Sequence, residues 1–202
     1  TDAKVLSVDE LLYAATLTQD KARQEAIYKK TTELYPSDYR AYNNLGMMAY
    51  AANDKAAAEN YFKQAASKNA NAPEVNTNLG LCELLKGNVA NAETYLSKST
   101  GANTANEALG NLYIKQGQYD KAVAAFGDTK TNSAALAQIL AKDYNKAKNT
   151  LNAVKNADAY TDYLMAVVGA RTNNADLVKS SMAKVAQKDA ALAASAANDR
   201  EF

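Results

Sequence analysis

Apolar residues in this chain recur at helical intervals, and they do so in blocks. In one block Tyr42, Leu45, Gly46 and Tyr50 are followed by Asn53-Asp54, and then by Ala58, Phe62 and Ala65. Spacings of three and four residues place each group on one face of a helix. The Asn-Asp pair between them is a turn signal. The block therefore predicts a helix, a tight turn and a second helix. No segment shows the long Val/Ile alternation that strands would need. Alanine dominates and the only prolines are Pro36 and Pro73, a composition that favours helix throughout.

The block repeats. "YNNLGMMAY" at 42–50 is echoed by "VNTNLGLCEL" at 75–84 and "NEALGNLYI" at 106–114, each carrying Leu-Gly. Gly46 and Gly80 lie 34 residues apart, and the same interval joins Leu45 to Leu79, Ala58 to Ala92 and Phe62 to Leu96. Gly in the first helix and Ala in the second let two helices approach closely, and the large residue at the Phe62 position fills the space below. Pro36 and Pro73 fall at junctions between blocks, where a helix must end or begin. The interval then shortens. Gly80 to Gly110 is 30 residues, and "GQYDKAVAAF" (117–126) realigns with "KDYNKAKNTL" (142–151) at an offset of 25. Tyr119, Ala122 and Phe126 thereby match Tyr144, Ala147 and Leu151. The block around 131–155 has a short first helix, "NSAALAQILA", and lacks Leu-Gly. A further hairpin fits 158–187, turning at Thr172-Asn173-Asn174. Upstream, Tyr28 lies 34 residues before Phe62, which marks a degenerate first block with Leu11-Leu12 in place of Leu-Gly. The segment "DAALAASAAND" (189–199) reads as a capping helix. The expected units are 5–38, 39–72, 73–102, 103–130, 131–157 and 158–188, within a single domain over 1–202. One hairpin cannot bury its own apolar face, so neighbours must stack.

The 34-residue period and the order of residues within it resemble the tetratricopeptide repeat (TPR) family. The resemblance is strongest over 39–127. It implies an all-α fold, a right-handed α-solenoid of about six helix hairpins with a C-terminal capping helix. "TNSAALAQILAKDYNKA" and "TDYLMAVVGARTNN" look like the C-terminal repeat region of larger Bacteroidetes cell-envelope proteins. That likeness implies a further N-terminal portion and favours a bacterial periplasm or cell envelope, while the composition fits a cytoplasmic scaffold equally well.

In this family the first helix of each hairpin lines a concave groove that contacts the ligand. Carried onto this chain, the groove positions are Arg40, Asn43, Asn44, Met47 and Tyr50 in the second unit. The third unit offers Glu74, Thr77, Asn78, Leu81 and Leu84, and the fourth offers Thr104, Glu107, Asn111 and Ile114. Asn44 and Asn78 share a repeat position. An Asn amide both donates to a peptide carbonyl and accepts from a peptide N–H, so two of them could grip an extended backbone; the alternative is that they cap or solvate the helix surface. The Lys/Asn/Arg set with which some TPR domains hold a C-terminal carboxylate is missing. Its positions carry Asn43, Met47, Asn78, Thr104 and Ala108. Tyr13 and Tyr50 fall on groove positions, where exposed Tyr offers contact area at low entropic cost. Tyr28, Tyr42 and Tyr113 fall on core positions.

The remaining composition mainly excludes. The net charge of +1 argues against a nucleic-acid surface, which shows clustered Lys and Arg. No window approaches the roughly 20 apolar residues of a membrane span. Histidine is absent and Cys82 is the only cysteine. His- and Cys-based metal sites and Ser-His or Cys-His catalysis are thereby set aside. Cys82 reads as a small buried filler. Asp9-Glu10 sits in a first helical turn and suits the dipole there. Asp199 and Glu201 lie in the tail. The expectation is a non-catalytic scaffold without cofactor or metal that binds a peptide or partner protein in its groove. The alternative is a structural or docking module that works through its ends or convex face, self-association included.

Overall fold

The computed structural model describes residues 5–99, 102–199 and 201. Among them are thirteen α-helices and no strand. Twelve pair as hairpins: α1 (Val8–Leu17) with α2 (Lys21–Leu34), α3 (Tyr39–Ala51) with α4 (Lys55–Lys68), α5 (Pro73–Leu85) with α6 (Val89–Ser97), α7 (Asn103–Lys115) with α8 (Tyr119–Phe126), α9 (Asn132–Leu140) with α10 (Tyr144–Asn152), and α11 (Ala159–Arg171) with α12 (Ala175–Lys188). A short α13 (Ala190–Ala196) follows. The chain gathers into two compact units that divide between Ala105 and Asn106, inside α7.

Five hairpins turn in the same way. One residue enters the left-handed region: Asn53 (φ 62), Gly87 (φ 78), Gly117 (φ 71), Lys142 (φ 65) and Asn173 (φ 54). The N–H of the next residue then reaches back five positions. Asp54 donates to the Ala49 carbonyl, Asn88 to Glu83, Gln118 to Tyr113, Asp143 to Gln138 and Asn174 to Gly169, all at 2.8–2.9 Å. This closure satisfies carbonyls that a helix end leaves open. The same residue starts the following helix, and the side chains of Asp54, Asp143 and Asn174 accept from the N–H three residues on. Gly adopts this backbone freely, and Asn tolerates it. Lys142 has neither advantage.

Counted from that turn residue, the packing falls into register even where the period drifts. Seven positions before it stand Gly46, Gly80, Gly110, Ala135 and Ala166; nine after it stand Phe62, Leu96, Phe126, Leu151 and Met182. A Cβ on Gly46 would lie 2.6 Å from Phe62 Cδ1, one on Gly80 2.6 Å from Leu96 Cγ, and one on Gly110 2.5 Å from Phe126 Cε2. These are far inside van der Waals contact, so the glycine is what lets the large residue lie against the helix backbone. The hairpin without Leu-Gly keeps the device in milder form, with Ala135 and Leu151 buried in one core cluster.

The first hairpin differs. Ser7 and Glu10 form a capping box that opens α1, and Asp20 caps α2 through the N–H groups of Ala22 and Arg23. Leu12 stands where Gly46 would be, and Gln24 where Ala58 would be. Close approach is replaced by a hydrogen bond: Gln24 Nε2 donates to the Ala15 carbonyl at 3.0 Å.

The first unit's core runs from Ala15, Tyr28 and Leu45 to Phe62, Val75, Leu79 and Cys82. Each large side chain buried this way stabilises the fold by roughly 1.5–3 kcal/mol. The second unit buries Ile139, Leu151, Leu164, Val167 and Val168. Its last helices are tied by polar contacts: Lys188 to Asp162 at 2.7 Å, Arg171 Nε to Glu201 at 2.6 Å, and the Tyr163 hydroxyl to Asp199.

Candidate interaction groove

In the first unit, α1, α3 and α5 are the leading helices of successive hairpins, so residues 34 apart occupy the same helical position. Tyr13, Met47 and Leu81 form one such row; Glu10, Asn44 and Asn78 form the next. Tyr13 is 65% exposed, Met47 52% and Tyr50 45%, so each leaves a large side chain open to contact. A cavity of about 130 Å³ is lined by Met47, Tyr50, Phe62, Asn78 and Leu81. Four of these five are residues expected at the groove. The fifth, Phe62, belongs to α4 and comes through from below because Gly46 leaves room for its ring.

Polar contacts sort the other candidates. Asn78 Nδ2 donates to Asn43 Oδ1 at 2.9 Å, and Asn43 Nδ2 points at Met47 Sδ at 3.8 Å. Asn43 is buried, so it works as a support that orients Asn78. Thr77 is also buried, and its hydroxyl donates to the Pro73 carbonyl at 2.9 Å. Its polar atom is therefore used within α5. Asn44 is half-buried. Arg40 is held on both sides, by Asp38 at 2.7 Å and by Asp9 of α1 at 2.8 Å. The Asp38 and Asp9 carboxylates raise the guanidinium's pKa, and Arg40 in turn holds Asp38 below the ordinary carboxylate range. The single cationic candidate is thus spoken for. Beside it the Tyr39 hydroxyl donates to Glu74. That bond, with partial burial, pushes the phenol up to about 12.

Glu107 (half-buried) and Asn111 (exposed) lie on α7 in the second unit. Thr104 is exposed near the start of the same helix, and Ile114 is half-buried near its end. Tyr28 and Tyr113 are core residues. Cys82 is buried, and burial pushes its thiol up, which disfavours the reactive thiolate. Reading by motif position overlooked Leu17 and Leu85, which are 66% and 54% exposed at the ends of α1 and α5. They lie two periods apart, so a signal for them was present. Among the described residues no group of His, Cys, Asp and Glu could hold a metal ion, and no helix is long and apolar enough to cross a membrane.

A tetratricopeptide repeat profile matches residues 20–73 and 49–107, and a second profile of that family matches 104–127. Together they span more than half of the chain, which belongs to the tetratricopeptide repeat family. Members of this family are in general non-catalytic scaffolds that bind proteins or peptides. Solved structures share the fold at low identity. YrrB, a TPR protein with an unusual peptide-binding site, is 17% identical, with a TM-score of 0.69 over 85% of this chain and 98% of its own. PilF of Pseudomonas aeruginosa is 12% identical, with a TM-score of 0.70 over 91% and 92%. A tetratricopeptide repeat protein from Parabacteroides merdae is 16% identical, with a TM-score of 0.60 over 90% and 79%. No curated protein matches the chain.

Proposed function

We propose that this chain is a non-catalytic scaffold that holds an extended peptide segment of a partner protein against α3 and α5. The observation that carries this reading is the apolar cavity between Met47, Tyr50 and Leu81, with Asn78 at its edge. Its volume is close to that of an engineered apolar cavity of roughly 150 Å³ that accepts benzene. It would take one Leu-, Ile- or Phe-sized side chain. Asn78 spends one N–H on Asn43, which leaves its carbonyl oxygen and second N–H for a peptide backbone, and Asn44 adds a second amide. With Arg40 engaged by two carboxylates, the groove would select an apolar anchor residue rather than an acidic or C-terminal one. Glu107 and Asn111 are proposed contacts of the second unit. The peptide-binding site of YrrB supports the reading only through shared fold, since function lies in the site.

Selection from a displayed peptide library tests it. Peptides enriched on the native chain should centre on one large apolar residue. They should lose tenfold or more in affinity against the Met47→Lys, Tyr50→Ser double variant, in which two exposed side chains are changed and the core is left alone. Peptides that bind both proteins equally would move the contact off this groove. A second reading is favoured by the first hairpin, where Val5, Leu6, Leu17 and Leu34 are all more than 40% exposed. That apolar end would suit docking to another domain or a second copy. A concentration-dependent mass in light scattering that Leu17→Lys with Leu34→Lys abolishes would establish it.

A further inference from the structure

In the second unit, α10, α11 and α12 enclose a cleft of about 520 Å³. Sites for small organic ligands typically run from roughly 300 to 1,000 Å³. Leu151, Met165 and Leu177 give it an apolar floor. Ser181 also lines it, and this residue is only 4% exposed. A helical Ser or Thr often returns its hydroxyl to a carbonyl one turn back, as Ser180 does to Leu177 and Thr172 to Val168. Ser181 makes no such bond among the described residues, so a nearly buried hydroxyl is left facing the cleft.

Charge adds a second, independent indication. Lys148, Lys184 and Lys188 stand on the walls. Lys188 is neutralised by Asp162 at 2.7 Å. Lys148 and Lys184 have no carboxylate at ion-pair distance among the described residues. Along α12 the residues Leu177, Ser181, Lys184 and Lys188 follow at helical spacing, so one face of the helix passes from apolar to hydroxyl to ammonium. Across the cleft α10 presents Lys148 one turn before Leu151. Both walls therefore combine an apolar surface with an uncompensated positive charge.

We propose that this cleft binds a small amphipathic anion. Its apolar body lies on Leu151, Met165 and Leu177, its carboxylate or phosphate sits between Lys148 and Lys184, and the Ser181 hydroxyl donates to an anion oxygen. Charge-assisted hydrogen bonds of this kind are the strong ones, and the apolar floor supplies the affinity that exposed lysines alone do not. The site is separate from the peptide groove and does not rest on it.

Titration of the full chain with decanoate, decyl phosphate, decanol and inorganic phosphate, followed by amide NMR below the micelle concentration, tests the proposal. Decanoate or decyl phosphate should shift amides of α10, α11 and α12, and whichever binds more tightly identifies the headgroup. Decanol and inorganic phosphate should bind at least about tenfold more weakly, because each lacks half of the recognition. The Lys148→Gln, Lys184→Gln double variant changes exposed side chains only. It should lose about tenfold or more and most of the salt dependence. Ser181→Ala should lose roughly fivefold. Absence of shifts with both amphiphiles, or shifts unchanged in the lysine variant, would overturn the proposal. So would a capped Glu-Leu-Leu peptide that binds there when neither amphiphile does, since the cleft would then belong to a protein segment.

Discussion

Replacing Gly110 by alanine puts the close approach of paired helices to a direct test, because two opposing terms of known size meet there. Alanine is the better helix former by about 1 kcal/mol. Against this, its Cβ would lie 2.5, 2.6 and 2.7 Å from three atoms of the Phe126 ring, where carbon atoms prefer about 3.5–4 Å. The ring is 2% exposed and cannot turn aside without disturbing its neighbours. Overpacking of this kind costs about 1–3 kcal/mol, and more where nothing yields. With the ring held, the upper half of that range applies, about 2–3 kcal/mol, and setting it against about 1 kcal/mol of helix propensity leaves a net loss of about 1–2 kcal/mol. Gly80 provides the control. Its added Cβ would meet Leu96, a branched chain with other rotamers, and the Ala135–Leu151 pair shows the chain already using alanine opposite leucine. Leu96 is itself buried, so Gly80→Ala should still cost something, but about 1 kcal/mol less than Gly110→Ala. The double variant Gly110→Ala, Phe126→Leu rebuilds the Ala135–Leu151 pairing. It should recover most of the loss, giving a coupling energy of about 1–2 kcal/mol between the two sites. Urea unfolding followed by far-ultraviolet circular dichroism, at unchanged slope, reads all five proteins, the Phe126→Leu single variant that closes the cycle included. The reasoning fails if Gly110→Ala is as stable as the native chain, or if Gly80→Ala costs as much as Gly110→Ala.

Lys142 holds a left-handed backbone at φ 65 without the freedom of glycine, so Lys142→Gly should stabilise by about 1 kcal/mol and raise Tm by about 2–4 °C; a lower Tm would mean that the side chain earns its place by contacts. Two phenols are pushed up to about 12, Tyr39 chiefly by its bond to Glu74 and Tyr163 chiefly by burial, with Asp199 next. Both would ionise near 10 once unfolded, so the stability they add is complete below pH 10 and lost as pH rises from 10 to 12. Burial also raises Tyr28 and Tyr160, so near-ultraviolet titration should show at least these four of the 13 tyrosines ionising late, one fewer in Tyr39→Phe and in Tyr163→Phe. A single transition near pH 10 in still-helical protein would contradict this. Cys82, buried and with its thiol pushed up, should react with a thiol reagent only as fast as the first unit opens. Labelling in native buffer at the rate of a free thiol would show that it is accessible.

Much of the fold was legible because packing and turn chemistry leave marks at fixed intervals. The Leu-Gly pairs announce where a ring or branched chain from the second helix will lie, and Asn53-Asp54 and Thr172-Asn173-Asn174 announce turns. The drifting period obscured one link. Ala135 does not look like Gly110 until both are counted back from Lys142 and Gly117, and a lysine gives no hint that its backbone will be left-handed. The groove was legible to the level of a helix face and no further. Repeat position places Asn43, Thr77 and Asn78 side by side, but whether a hydroxyl returns to its own helix, as Thr77 does to Pro73, is decided by a rotamer that any helical threonine can adopt. Nor does a period reveal that Arg40 closes on Asp9, because long flexible side chains pair by reach rather than by register. The cleft of the second unit was less legible still. Lys148 and Lys184 stand on different hairpins, where each alone is an ordinary surface lysine, and only the packing of α10 against α11 and of α11 against α12 brings them to one hollow beside Ser181. Repeats thus declare the frame on which side chains are held, while binding chemistry is written in the side chains that break the repeat.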